Sequence, residues 1–195
     1  MNEQDKSAAK RAAGERAASM VQDGMRVGLG TGSTTAYALA ALGERIRREG
    51  LAIQGTPTSY FAERLARQHG IPLCTLDDLN RLDVALDGAD EVDAALNLIK
   101  GRGGAHTREK VVASLADRFV VLVDPSKLVP VLGAKAPVPV EVLPMAASAV
   151  LHRLEALGAR VELRTGSGKD GPVVTDQGFW IIDAHFSGIP DPQDL

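Results

Sequence analysis

The chain has a single cysteine among 195 residues, so it cannot close an internal disulfide. That cysteine, Cys74, sits in the apolar run Ile71-Pro72-Leu73-Cys74-Thr75-Leu76 and reads as a buried, inert thiol. Aromatic residues are scarce at 4%, which leaves little to stack nucleobases. Neither sign of charge dominates: 22 Lys and Arg stand against 25 Asp and Glu, for a net charge of -3. That balance argues against a nucleic-acid partner. His69, His106, His152 and His185 have no His or Cys partner at metal-ligand spacing, so no metal site is expected from them. No apolar run approaches the roughly 18 residues of a membrane span. The N-terminus MNEQDKSAAK is polar and lacks the apolar core of a signal peptide, so no membrane association is expected and a cytoplasmic location is the default. What is present is ordinary for a soluble globule: 45% hydrophobic and 24% charged residues. At about 150 residues per domain, the length suits one large domain, or one domain with a small second one.

Periodicity predicts a helix over 3–22, with Ala9, Ala13, Ala17, Met20 and Val21 near one face and Gly24 ending it. Strands are expected at 25–30, 51–56, 73–76, 82–86 and 118–123. Helices are expected at 34–48, 59–69 and 107–116. Such alternation predicts βαβ units and a parallel sheet, with ligand-binding loops at the strands' carboxyl ends. After Asp124-Pro125 the pattern changes, and Pro130, Pro137, Pro139 and Pro144 mark a linker-like stretch. Beyond it, strands at 138–143, 159–164, 173–175 and 179–186 and a helix at 146–157 predict a small antiparallel α+β unit. Asp176-Gln177-Gly178 reads as its hairpin turn. The boundary is placed near residue 128.

Three strand-end loops carry the chemistry. Gly28-Leu29-Gly30-Thr31-Gly32-Ser33-Thr34-Thr35 follows a strand and opens a helix, so its amides, its hydroxyls and the helix dipole suit an anion. It departs from the dinucleotide fingerprint, because Ser33 stands at the last glycine position and the next strand ends Gln54-Gly55-Thr56 without an acid. A plain tight turn with Ser33 as helix cap is the alternative. Asp87-Gly88-Ala89-Asp90-Glu91 clusters three carboxylates, which suits acid–base work or magnesium. Its alternative is capping of a following helix by Asp87 or Asp90. In Lys100-Gly101-Arg102-Gly103-Gly104-Ala105-His106-Thr107-Arg108-Glu109-Lys110, a glycine loop offers amides to an oxyanion just ahead of Glu109. Glu109 could equally serve the helix dipole, and His106 could be surface or base. Lys127, in Asp124-Pro125-Ser126-Lys127, suits a phosphate or solvent. Lysines, amides and carboxylates without a cofactor fingerprint fit proton shuttling on a sugar phosphate.

These segments resemble the ribose-5-phosphate isomerase A family. The matching stretches are GLGTGST (28–34), PTS (57–59), DGADEVD (87–93), KGRGGAHTREK (100–110), DPSK (124–127), VPVEVLP (138–144) and LRTGSGKDGPVVTDQG (163–178), in the family's order along essentially the whole chain. The resemblance implies an α/β fold: a Rossmann-like parallel-sheet domain over 1–127 and a smaller ferredoxin-like α+β domain over 128–195. It implies a cofactor-free interconversion of D-ribose 5-phosphate and D-ribulose 5-phosphate through an enediolate, in the non-oxidative pentose phosphate pathway. Glu109 would be the base, Asp87 would help open the furanose ring, and Asp90 would bind sugar hydroxyls beside Gly88 and Ala89. Lys100 with the amides of Gly101, Arg102 and Gly103 would hold the reacting oxygens. Thr31, Gly32, Ser33, Thr34, Lys127 and, on the first helix, Lys10 would complete the substrate site. No metal is implied, and a homodimer is expected.

Against the family's pattern, Arg102 and His106 replace smaller or apolar residues. If Arg102 is compatible with the site, its side chain points away from the substrate. The family continues past Ile189-Pro190-Asp191-Pro192-Gln193-Asp194-Leu195 with a helix and two strands; if that part were truly absent, an exposed sheet edge would be an association hazard. The rival readings are a non-catalytic sugar-phosphate sensor of the same fold and a related transferase or deaminase. No DNA-binding module fits before Gly28, and the DGADE segment argues against the last.

Overall fold

The computed structural model describes residues 3–166, 168, 170–193 and 195; Ser167 and Lys169 of the 163–178 segment, and Asp194, lie outside the described residues. The elements in chain order are α1 (Glu3–Ala18), β1 (Arg26–Leu29), α2 (Ser33–Glu49), β2 (Gln54–Pro57), α3 (Tyr60–Gln68), β3 (Val84–Gly88), β4 (Glu91–Val92), β5 (Leu98–Ile99), α4 (His106–Ser114), β6 (Phe119–Leu122), β7 (Val138–Val142), α5 (Ala147–Ala156), β8 (Arg160–Leu163) and β9 (Trp180–His185). Short 3-10 turns lie at Pro125–Lys127 and Pro144–Ala146. The chain divides into two compact units, Met1–Gly88 with Arg108–Ser126, and Ala89–Thr107 with Lys127–Leu195. The sequence reading draws one cut near 128, whereas compactness groups 89–107 with the C-terminal residues.

The first unit is an α/β sheet of four parallel strands in the order β2-β1-β3-β6. Val27 pairs with Gly55 on one side and Val84 on the other. Val27, Leu29 and Leu86 are fully buried, as expected of strands covered on both faces. They pack with Leu39 and Leu42 of α2 and Ala17 and Ala18 of α1. Gly14 lets α1 cross α2 closely, since a Cβ there would meet the Ala38 amide and Tyr37 Cβ at 2.7 Å. α2 ends at Gly50 in the left-handed conformation, φ 72°, a glycine C-cap.

Two expectations fail here for tertiary reasons. α1 stops at Ala18 rather than 22, because Arg45 Nη1 donates 2.7 Å bonds to the carbonyls of Ala18 and Val21 and so satisfies the helix end early. Residues 73–76 form no strand. Leu73 makes a single bridge to Gly55, and Asp78 then captures the Thr75 hydroxyl at 2.7 Å and turns the chain away. Cys74 is half-buried rather than buried, with its sulfur 3.3 Å from the Thr56 hydroxyl.

The second unit carries a three-stranded antiparallel sheet, order β7-β9-β8, with α5 packed on it through Val142, Ala147 and Ile182. Arg164 clamps Asp183 with both guanidinium arms. The expected strand at 173–175 is absent: Pro172 lacks the amide a ladder needs, and Thr175 closes a turn with Phe179 instead. The β4–β5 hairpin was not expected. Asp93 organises it by accepting from the amides of Ala95 and Asn97 at 2.9 and 2.8 Å, while Leu96 adopts φ 65°. The Asn97 side chain and these amides hold the Asp93 carboxyl below the usual carboxylate range. No described helix is long and apolar enough to cross a membrane.

Candidate active site

In the first unit the β1–α2 loop is built around Asp87 at the end of β3. The Gly30 amide donates to the Leu86 carbonyl at 2.9 Å, drawing the loop onto β3. A Cβ at Gly30 would fall on the Asp87 carboxylate, so glycine is required there. Asp87 is 3% exposed, and its Oδ1 accepts from the amides of Thr31 at 3.2 Å and Gly88 at 2.8 Å. Its oxygen is therefore fixed in direction by backbone that cannot rotate away.

The helix cap is Gly32, at φ 130°, and Ser33 is the first helical residue, so the alternative of a tight turn capped by Ser33 does not hold. α2 has no acidic residue in its first turn. The half-dipole at its N-terminus, beside the Ser33 and Thr34 hydroxyls, therefore remains available to an external anion. Behind this loop lie two residues that the sequence reading named only within a matching segment. Thr58 and Ser59, both nearly fully buried, contact the Thr31 hydroxyl at 2.8 and 2.6 Å. The available signal was a pair of adjacent hydroxyl residues just past the carboxyl end of β2.

Glu109 comes from α4. β6 is parallel to β3, so α4 runs back along the sheet and its first turn lies at the strands' carboxyl ends. Val112 packs onto β1, where a Cβ at Gly28 would meet its Cγ1 at 2.6 Å. Glu109, one turn earlier on the same face, is thus aimed toward the end of β1. It is 5% exposed, with Oε2 shut off from solvent. A carboxylate serving only the helix dipole works at the surface; burying one costs several kcal/mol before compensation, so the helix-dipole reading does not account for the burial of Glu109. The neighbouring Arg108 donates to the Pro57 carbonyl at 3.4 Å and lies 5.4 Å over the Tyr60 ring. Lys10 is half-buried on α1, and the adjacent Arg11 stacks on Tyr37 at 5.3 Å.

In the second unit, no helix follows Asp90, so the capping alternative fails. The Asp90 amide bonds to the Ile99 carbonyl at 2.8 Å, and Asp90 Oδ2 accepts the Arg102 amide at 3.0 Å. Ala89 and Asp90 thereby fold against the Lys100–Gly103 loop. Arg102 is exposed, and its carbonyl accepts from Arg164 Nη1 at 2.8 Å, so both its backbone groups are spent on the loop's shape. Gly101 adopts φ 100°, and a Cβ there would meet His106 Cβ at 2.7 Å. His106 is thus a neighbour of the glycine turn. Lys100 is half-buried and Gly103 exposed. Lys127 is half-buried and ends a 3-10 turn whose entry is set by Asp124, 2% exposed, accepting the Ser126 amide at 2.9 Å.

Glu91 departs most from the carboxylate cluster expected at 87–91. It is fully buried, and it accepts the amides of Gly133, Lys135 and Ala136 at 2.6, 2.5 and 2.6 Å. Its role is to hold the 133–136 loop. Among the described residues no group of three or more His, Cys, Asp or Glu could hold a metal ion, so the magnesium alternative has no ligand set there.

Comparison with known proteins points one way. The family model for ribose 5-phosphate isomerase A (phosphoriboisomerase A) matches residues 54–195. Ribose-5-phosphate isomerase A of Thermosynechococcus vestitus is 59% identical over 187 residues, 95% of this chain and 79% of that one. The protein of the same name from Pyrococcus horikoshii is 52% identical over 187 residues, 95% of this chain and 82% of that one. A D-ribose-5-phosphate isomerase solved in complex with phospho-erythronic acid superposes with a TM-score of 0.94 at 51% identity, covering 100% of this chain and 84% of its own. The isomerase from Methanocaldococcus jannaschii gives 0.93 at 49% identity, covering 96% and 83%.

Proposed function

The chain belongs to the ribose 5-phosphate isomerase A family and is an aldose–ketose isomerase, and from that premise we propose that Glu109 is the base that carries the proton between the two reacting carbons. The observation that carries this assignment is the burial of Glu109 in the first turn of α4, at the carboxyl end of the sheet whose β3 holds Asp87. A buried carboxylate that follows a glycine loop in the chain is suited to general base work.

The substrate pair is D-ribose 5-phosphate and D-ribulose 5-phosphate. Asp87, directed by the Thr31 and Gly88 amides, helps open the furanose ring by moving the ring hydroxyl's proton. Glu109 then takes the proton from carbon 2 of the open aldose, leaving an enediolate, and returns it to carbon 1, while the hydroxyl proton on the carbon 2 oxygen passes to the carbon 1 oxygen. The developing oxyanion falls to Lys100 and the amides of Gly101 and Gly103, whereas the Arg102 amide, expected to join them, is already donated to Asp90 Oδ2 at 3.0 Å. Asp90, with Gly88 and Ala89, binds sugar hydroxyls. The N-terminus of α2, through Gly32, Ser33 and Thr34, takes phosphate oxygens, with Lys127 and Lys10 supplying positive charge. Oxidation of one carbon is balanced by reduction of its neighbour, so this chemistry calls for no redox partner. The phospho-erythronic acid bound by the solved relative combines a phosphate with a polyol acid, a chemistry that suits these roles.

We also assign the enzyme to the cytoplasm and the non-oxidative pentose phosphate pathway, expect a homodimer, and take 1–127 as the catalytic part and 128–195 as the small domain in chain order. The test is turnover of ribose 5-phosphate by the full chain with excess chelator present. Conversion to ribulose 5-phosphate supports the reading. Protection of the fold by the sugar phosphate without conversion would favour the sensor instead.

A further inference from the structure

Thr31 sits in a chain of hydrogen bonds whose direction can be worked out by counting protons. The Leu29 carbonyl can only accept, so the Thr58 hydroxyl, 3.1 Å away, donates to it. Having spent its one proton, Thr58 Oγ1 accepts from Thr31 at 2.8 Å. Thr31 in turn accepts from Ser59 at 2.6 Å, and Ser59 Oγ accepts the Ala62 amide at 3.0 Å as the cap of α3. The order is therefore Ala62 amide, Ser59, Thr31, Thr58, Leu29 carbonyl, and each hydroxyl proton is used once. Thr58 is 2% and Ser59 3% exposed, so water does not compete for the chain. The Thr31 amide is committed as well, to Asp87 Oδ1 at 3.2 Å.

We propose that Thr58 and Ser59 are positioning residues for the isomerisation, acting through Thr31 to hold the Asp87 carboxylate, and that Thr31 offers no proton to the substrate. The proposal rests on the isomerase reading and on the role given to Asp87. It replaces the expectation that Thr31 is a hydrogen-bond donor to the sugar phosphate. The hydroxyl chain ties the end of β2 to the β1–α2 loop, and Thr58 further anchors that tie by its amide, 2.9 Å from the Leu29 carbonyl. Loss of a hydroxyl would let Thr31 turn, and with it the amide that directs Asp87. The consequence falls on the chemical step and leaves substrate affinity in place.

Steady-state kinetics with ribose 5-phosphate on the full chain test this. Thr58→Val removes the hydroxyl at nearly constant volume. It is expected to lower kcat about tenfold with KM within about twofold, the scale of one net hydrogen bond. Thr58→Ser, which keeps the hydroxyl, is expected to restore the rate; side-chain volume alone as the cause predicts no such rescue. Thr31→Val is expected to show the same kcat loss. The double variant should lose little more than either single one, because both break the same chain. A rise in KM for Thr31→Val with kcat retained would overturn the proposal, as would losses that multiply in the double variant. If Thr58→Val fails to fold by circular dichroism, the KM-against-kcat split of Thr31→Val decides alone, since that side chain is half-exposed. An inactive wild type would instead defeat the isomerase reading itself.

Discussion

Replacing Glu91 by Gln separates structure from catalysis at the carboxylate cluster. Glu91 Oε1 accepts two amides, from Lys135 and Ala136, and Oε2 accepts one, from Gly133. A glutamine places its oxygen on the two-donor side, and its NH2 group then faces the Gly133 amide, donor against donor. Two charge-assisted bonds fall to neutral strength, each losing about 0.5–2 kcal/mol, and one buried amide goes unsatisfied at about 1–3 kcal/mol. The cheaper burial of a neutral side chain offsets part of this, leaving a net cost of about 3 kcal/mol. For a chain of this size that lowers Tm by about 6–12 °C. Thermal unfolding followed by circular dichroism reads the shift, and kcat measured well below the transition reads the chemistry. The expectation is a large fall in Tm with kcat kept within about twofold of wild type. An unchanged Tm with lost turnover would refute the reasoning and return Glu91 to the acid–base group.

Three further outcomes follow from particular contacts. Gly30→Ala drives a methyl into the Asp87 carboxylate and the Leu86 carbonyl. Turnover is expected to fall at least tenfold, the order of magnitude of a misplaced catalytic group, and wild-type kcat in that variant would contradict the packing of Asp87 against Gly30. Lys127→Ala is expected to raise KM for ribose 5-phosphate with a smaller effect on kcat; an unchanged KM counts against its phosphate role. Burial and the nearby Arg47 push the His69 pKa below its usual 6.5. The neutral ring therefore favours the folded state, with a contribution complete above about pH 6.5 and lost as pH falls through the depressed value. His69→Gln should flatten the acid limb of a Tm-against-pH curve, and an unaltered limb would show that other groups set it.

The parallel sheet was legible because strands rich in apolar residues alternate with helical stripes closed by glycine stops, although β2, Gln54–Pro57, is not itself an apolar run. Val27 and Leu29, Val84 to Leu86, and Phe119 to Leu122 lie where that pattern puts them. The losses came where one distant side chain decides a backbone. Arg45 ends α1, Asp78 bends residues 73–76 out of the sheet, and Asp93 makes a hairpin from a polar stretch. None of these leaves a periodic trace. In the DGADE segment the spacing showed that carboxylates are near in the chain and could not show their direction. Asp87 ends β3, while Asp90 and Glu91 lead into β4 on alternating faces, so that Asp90 takes the Arg102 amide and Glu91 the 133–136 loop. The Thr58–Thr31–Ser59 contacts join the ends of two strands and were likewise hidden from spacing.

The central claim is that Glu109 moves a proton through an enediolate, and solvent isotope exchange tests it most directly. Ribose 5-phosphate is incubated with the enzyme in deuterium oxide to equilibrium, and the sugar phosphates are analysed by NMR. Deuterium is expected at carbon 1 of ribulose 5-phosphate and at carbon 2 of recovered ribose 5-phosphate. Glu109→Gln is expected to bind the substrate and to exchange at least about 10²-fold more slowly, the lower end of what general base catalysis contributes. Full isomerisation without deuterium in either sugar would contradict transfer by a base that exchanges its proton with solvent, and undiminished exchange by Glu109→Gln would mean that another group is the base.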